Sequence, residues 1–149
     1  MKIKTADLID LALDWAVTVA EGLKPTMRHD YMKAKAAANN YKGDLAWHLE
    51  VTPNEPITVD EAGVTHVLRP YSEQWSQGGP IIQREEIGLR RNAPCSRGRE
   101  WEASPSITAK GAGGKWGYGP TPLIAAFRCF VASRLGDEVE VPDELMKHP

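Results

Sequence analysis

The sequence lacks the features that would place it in the membrane or among secreted proteins. It contains only two cysteines, Cys95 and Cys129, in 149 residues, too few for the disulfide framework of a small secreted domain. Its apolar runs are far shorter than the ~18 residues that cross a bilayer. The N-terminal residues also lack the unbroken apolar stretch and small-residue cleavage site of a signal peptide. We therefore expect no membrane association and a reducing compartment, the cytoplasm.

A strong excess of one charge is missing too. Lys and Arg number 18 and Asp and Glu number 20, for a net charge of −2. A general nucleic-acid binder carries a basic excess that attracts the phosphate backbone, so the composition argues against nucleic acid as a partner. Local concentrations of basic residues at 24–42 and at 84–99 leave a weak patch open as an alternative.

Residue groupings that carry catalysis or bind metals are also missing. The histidines are not spaced as metal ligands, and neither cysteine lies beside a second one. Residues 110–115 are glycine-rich, but Ala109 and Trp116 stand where a phosphate loop needs Gly and a Mg²⁺-binding Ser or Thr. We predict no catalytic residue, no metal site and no cofactor, and we favour a function other than catalysis. Cys129 is expected to be packed within a helix.

The clearest elements present are two amphipathic helices. The first runs from Ala6 to Glu21, with Thr5 as its N-cap and Gly22 as its terminator. Its acidic strip should face water while the wide apolar remainder is covered on more than one side. The strip consists of Asp7, Asp10, Asp14, Thr18 and Glu21.

The last helix has stronger boundary signals. Thr121 can cap it, Pro122 suits the first turn and Gly136 ends it. One side carries large apolar residues and the other carries Ala, Cys and Ser. We expect this helix to be central, packed on a sheet, with its small side open to a second helix or a second subunit.

The remaining pattern predicts an α+β fold. Extended segments are expected at Trp47–Val51, Val64–Leu68, Ile81–Arg90 and Glu100–Ala103. They predict an antiparallel sheet of about four strands, covered on one face by the two main helices. We interpret the chain as a single domain over 1–149, with a peripheral helix or excursion at 24–42, an insertion at 24–43 and an acidic tail at 137–149.

The first candidate binding site is the stretch from Tyr71 to Pro80. Trp75 follows polar residues and precedes Gln77, Gly78 and Gly79. Glycines permit positive φ or a close backbone approach, and a tryptophan offers a flat stacking surface with an N–H donor. The stretch therefore predicts a loop that holds a ring or a base. The alternative is a structural turn with Trp75 folded back over the core.

The second candidate is the start of the last helix, where free N–H groups and the Thr121 hydroxyl can meet an anion. The alternative is that Thr121 and Pro122 only start the helix. Together the residues predicted to bind a ligand are Tyr71, Trp75, Gln77, Gly78, Gly79, Thr121 and Arg128.

Several segments carry a family resemblance. They are residues 13–17 (LDWAV), Tyr71-Ser72 with 75–82 (WSQGGPII), 101–103 (WEA), and 119–126 (GPTPLIAA) with its continuation at 128–136. Together they resemble the NinX-like family of small proteins from tailed bacteriophages and prophages, a domain of unknown function. The resemblance implies a phage origin and the cytoplasm of a bacterial host, and it supplies no catalytic residues.

Two functions follow as expectations. The first is a non-enzymatic phage accessory protein that binds a host or phage protein, with a homodimer left open. The second is a small-ligand module for a nucleotide or other anion, with Trp75, Gly78, Gly79 and Thr121 in one pocket.

Overall fold

The computed structural model describes residues 1–93, 96–106 and 114–146. Outside the described residues lie Pro94 and Cys95, residues 107–113 with the first part of the glycine-rich stretch 110–115, and the end of the predicted tail at 147–149. The chain divides into two compact units. The large unit is Met1–Gly22 with Arg69–Pro149, and the small unit is Leu23–Leu68. The single domain with an insertion at 24–43 stays a prediction.

Helices and antiparallel strands are mixed, which confirms the predicted α+β class. The helices are α1 (Asp10–Ala20), α2 (Arg28–Ala38), α3 (Leu45–Val51), α4 (Trp75–Arg84) and α5 (Pro122–Leu135). The strands are β1 (Lys2–Lys4), β2 (Thr26–Met27), β3 (Pro56–Val59), β4 (Thr65–Val67), β5 (Gly88–Arg91), β6 (Trp101–Ser104), β7 (Gly117–Gly119) and β8 (Glu138–Glu140). They form three small sheets, β1-β8, β2-β3-β4 and β5-β6-β7, instead of the predicted one. None of the helices in the described part of the chain is long and apolar enough to cross a membrane.

Helix α5 is the centre of the large unit, as predicted. The Thr121 hydroxyl oxygen accepts a hydrogen bond from the Ile124 N–H at 3.2 Å, and Gly136 ends the helix with a φ of +94°. Residues 123–127 and 129–132 are all buried. A cap residue, an N-terminal proline and a terminal glycine are local signals, so the sequence predicts both ends correctly.

Strand β7 packs on the small face of α5. A Cβ atom added at Gly117 would lie 2.3 Å from the Ala125 carbonyl oxygen and 2.4 Å from the Cys129 nitrogen. Only glycine permits this approach of β7. Ala125 and Cys129 form a buried cluster with Ala103 of the neighbouring strand β6, so the β5-β6-β7 sheet packs directly on α5.

Helix α1 differs from its prediction at its start and on its acidic side. Thr5 does not cap it: Ile9 holds the N-cap position, and the buried Thr5 hydroxyl donates to the Gly136 carbonyl oxygen at 2.7 Å. Asp14 and Thr18 are buried, not solvated. The reason is that the segment 71–72 packs on this side, where the Ser72 N–H donates to Asp14 Oδ1 at 2.9 Å.

Two predicted extended segments are helical. Residues 47–51 belong to α3, which begins after Asp44, whose carboxylate accepts from the Trp47 N–H at 3.1 Å. Of the predicted stretch 81–90, residues 81–84 complete α4, and only 88–90 lie in a strand, β5. Strand signals in short apolar runs do not exclude a helix, and Pro80 lies inside α4 although proline is unfavourable there.

The predicted acidic tail is part of the large unit as far as the structure describes it. Strand β8 pairs with β1, with Ile3 opposite Val139. Val139, Val141 and Leu145 are buried. The alternation of acidic and apolar residues at 138–141 is a strand pattern, and the acidic composition concealed it.

The small unit has little core. The buried large apolar side chains of this unit are Met27 and Ile57, which lie in its three-stranded sheet, and Leu68, which follows β4. Neither α2 nor α3 contains a buried residue. Helix α2 is therefore peripheral, as predicted for 24–42, and the Arg28–Glu55 ion pair at 2.8 Å links its first residue to the segment before β3.

Candidate functional site

The predicted ligand loop is mostly the helix α4, and two of its residues serve packing. Tyr71 is buried, with its ring centroid 5.9 Å from that of Phe127. Burial raises the pKa of the Tyr71 hydroxyl. A Cβ atom at Gly78 would lie 2.7 Å from Phe127 Cε2 and 2.8 Å from the Tyr71 carbonyl oxygen. Gly78 therefore permits α4 to lie close to α5. This contact explains why residue 78 is a glycine, without any role in ligand binding.

The other residues of this stretch lie nearer the surface. Trp75 is the first residue of α4 and its side chain is 53 % exposed, so it is not the predicted lid on the core. Gln77 is half-buried, and a Cβ atom at Gly79 would meet no atom within 4 Å. Their role in binding stays a prediction, and the same holds for Thr121, whose hydroxyl oxygen is used as the cap of α5.

Arg128 lies in a different environment from the other predicted residues. It projects from α5, where its Nε donates to the Leu8 carbonyl oxygen at 2.9 Å and its Nη1 to the Tyr118 carbonyl oxygen at 2.8 Å. Burial lowers the pKa of this guanidinium, and the charge of Asp7 opposes that change. The side chain is thus fixed and half-buried.

A groove of about 770 Å³ opens beside Arg128, and we call it the Arg128 groove. Of the seven residues predicted to bind a ligand, it includes Arg128 alone. Its side chains with charged or aromatic groups are Lys4, Asp7, Arg99, Lys115, Trp116, Tyr118, Arg128, Asp137 and Glu138. They come from several parts of the large unit: the N-terminal residues, the segment before β6, the segment around β7, helix α5, and the start of the predicted acidic tail.

Sequence reasoning missed the buried carboxylate of Asp14. Its side chain is 4 % exposed, and burial raises its pKa from the ordinary 3.8 to about 6, although hydrogen bonds from Ser72 oppose the change. No local signal indicates this burial, because the segment that covers Asp14 lies 58 residues away.

Cys129 is packed as predicted. The thiol is buried against the β5-β6-β7 sheet, and burial raises its pKa to about 12. A thiol with such a pKa stays protonated near neutral pH and is a poor nucleophile. Its position is structural.

The small unit carries an exposed aromatic cluster that sequence reasoning also missed. Trp47 and His48 lie on α3 with ring centroids 5.1 Å apart, and the Tyr41 hydroxyl oxygen lies 3.0 Å from His48 Nε2. Trp47 and Val51 are each 54 % exposed and Tyr41 is 47 % exposed. We call Tyr41, Trp47, His48 and Val51 the α3 aromatic surface. The signal was present in the aromatic residues at 41 and 47, but a predicted strand hid the helical spacing of Trp47 and Val51.

Comparisons with known proteins identify the family. A family model described as "Bacteriophage P22, NinX" matches residues 4–134, which is most of the chain and includes every segment of the resemblance except its last two residues. A comparison with curated proteins gave no match. The chain belongs to the bacteriophage P22 NinX family.

Proposed function

We propose that this phage protein is an accessory protein that binds another protein through the α3 aromatic surface. The observation that carries the proposal is the exposure of Trp47, Val51 and Tyr41 on a unit whose two helices bury no residue. Exposed apolar groups that lie together mark interaction sites more often than isolated ones do. Trp and Tyr also dominate the binding energy of protein interfaces.

The charges beside this surface indicate the chemistry of the partner. Lys33, Lys35 and Lys42 are exposed, and in the described residues none of them takes part in an ion pair. Lys42 is next to Tyr41 in the chain, and α2, which carries the other two lysines, packs against α3. Complementary charge favours a partner segment that combines apolar side chains with carboxylates.

The first experiment compares two variants in an affinity enrichment from the bacterial host during phage growth. Trp47→Ala removes the largest side chain of the α3 aromatic surface, while Trp75→Ala removes a tryptophan of nearly equal exposure, 53 % against 54 %, from the large unit. The protein that wild type and Trp75→Ala capture and Trp47→Ala loses is then purified. Its dissociation constant is measured for each variant by calorimetry.

We expect Trp47→Ala to weaken this binding by about 30-fold or more, as truncation of an interface hot spot of ~2 kcal/mol does. The melting temperature should stay near that of wild type, because α3 has no buried residue. Equal affinities for wild type and Trp47→Ala would contradict the proposal. Light scattering tests self-association: a dimer that Trp47→Ala converts to the 16.4 kDa monomer would replace the proposed partner by a second copy of the chain.

A further inference from the structure

We propose that the Arg128 groove binds a small anion that carries a planar ring, such as a nucleoside phosphate. The site is in the large unit and is independent of the α3 aromatic surface. The inference rests on three observations: a fixed cation that lacks an anionic partner, a local reversal of the charge balance, and exposed aromatic rings beside it.

The fixed cation is the guanidinium of Arg128. Its Nε and Nη1 donate to the carbonyl oxygens of Leu8 and Tyr118 at 2.9 and 2.8 Å, and these two bonds hold its orientation. Among the described residues no carboxylate forms an ion pair with it, and Asp7 acts on its charge only at longer range. A half-buried cation without a counter-charge is stabilised by an anion that enters the groove.

The groove reverses the sign of the charge excess of the chain. Its lining has four cationic side chains, Lys4, Arg99, Lys115 and Arg128, against three carboxylates, Asp7, Asp137 and Glu138. The whole chain has 18 basic residues against 20 acidic ones. Lys115 is paired with Asp137 at 2.8 Å, so the cations that remain for a ligand are those of Lys4, Arg99 and Arg128.

The rings come from the segment around β7. Trp116 is 51 % exposed, and the Arg99 guanidinium lies over the Tyr118 ring, 4.2 Å from its centroid. Exposed tryptophan rings and arginine–tyrosine stacks are the surfaces on which nucleic-acid bases stack in proteins. A ligand with phosphate and base can therefore place its charge near Arg128 and its ring near Trp116.

Close packing of β7 on α5 positions the Tyr118 ring. Gly117 and Gly119, on either side of Tyr118, face α5 at distances that exclude a side chain. Successive residues of a strand point to opposite faces, so Tyr118 is directed away from the contact with α5. The groove volume of about 770 Å³ is in the range of small-ligand sites, about 300–1,000 Å³.

The test titrates the full chain with adenosine and guanosine monophosphate and triphosphate and with inorganic phosphate, by calorimetry, up to about 5 mM. We expect at least one nucleotide to bind with a millimolar or lower Kd and inorganic phosphate to bind more weakly, because it has no ring. Trp116→Ala should weaken nucleotide binding at least tenfold. Trp47→Ala, which removes a tryptophan of 54 % exposure from the small unit, should leave it unchanged.

A second variant tests the contribution of charge, and it keeps the proposal testable if Trp116→Ala does not fold. Arg99→Gln alters an exposed side chain and should weaken nucleotide binding at least fivefold, while circular dichroism stays that of wild type. The absence of any nucleotide binding would overturn the proposal. So would an effect of Trp47→Ala that equals that of Trp116→Ala, or binding of a short single-stranded oligonucleotide when no mononucleotide binds.

Discussion

The two units of the molecule are built in opposite ways. Eight of the nine largest fully buried side chains among the described residues lie in the large unit, and Ile57 is the one in the small unit. The small unit, by contrast, has seven of the fifteen large apolar side chains that the described structure leaves exposed. They are Leu23, Tyr41, Trp47, Val51, Val59, Val64 and Val67.

This difference bears on folding stability in the large unit and on the proposed binding in the small unit. Burial of apolar surface stabilises a fold by roughly 25 cal/mol per Å², so the large unit supplies most of the folding free energy. Exposed apolar side chains contribute little to folding and are free to bind. The comparison therefore places the stable scaffold in the large unit, whereas the surface that we propose for protein binding is in the small one.

The largest effect should come from the centre of the large unit. Phe127 has no exposed surface and contacts the rings of Tyr71 and Phe130. Phe127→Ala should lower the free energy of unfolding by about 3–5 kcal/mol, because it removes a large buried side chain and leaves a cavity. Urea unfolding followed by circular dichroism measures this loss.

The matched control is Val67→Ala in the small unit, where the side chain is 58 % exposed. It should change the free energy of unfolding by no more than about 0.5 kcal/mol. If the two substitutions destabilise the chain equally, the contrast between the two units is wrong.

Substitution of Asp14 should have a smaller effect on the free energy of unfolding, with the opposite sign. Its pKa in the folded state, about 6, lies above its ordinary value of 3.8, so the folded chain binds more protons than the unfolded chain between these values. The free energy of unfolding should therefore fall as pH rises from about 4 to 6. At pH 7 the buried carboxylate costs up to about 3 kcal/mol, from two pKa units at ~1.4 kcal/mol each.

Asp14→Asn should stabilise the protein at pH 7 and remove this pH dependence, since the amide oxygen can still accept the Ser72 N–H. The free energy of unfolding at pH 4, 5.5 and 7 provides the measurement. Asp10→Asn, at the exposed start of the same helix, is the control and should leave the pH profile unchanged. A wild-type profile that rises from pH 4 to 6 would contradict the burial of an ionisable Asp14.

Local signals explain which elements the sequence predicts well. The ends of α5 follow from Thr121, Pro122 and Gly136, all within a turn of the positions that they define. Helix α4 is not predicted, because two glycines and Pro80 weaken its local pattern. Its contact with Phe127 of α5 joins residues far apart in the sequence, which local patterns do not reveal. Tertiary packing overrides propensity in such segments.

Long-range contacts explain what the sequence could not predict about the candidate sites. Arg128 was among the predicted ligand-binding residues, but one of its fixing partners, Leu8, lies 120 residues away. The burial of Asp14 depends on Ser72 in the same way. Prediction of the α3 aromatic surface depends on recognising a helix at 45–51. The local signal for that helix is Asp44, which caps its N-terminus.

Native-state hydrogen exchange tests the contrast between the units most directly. The amides of α5 should exchange only through global unfolding, with the full free energy of the chain. The amides of α2 and α3 should exchange through local opening at a free energy lower by about 2 kcal/mol or more, because their helices bury no residue. Equal protection of α3 and α5 would contradict the separation of a stable scaffold from a thinly packed small unit.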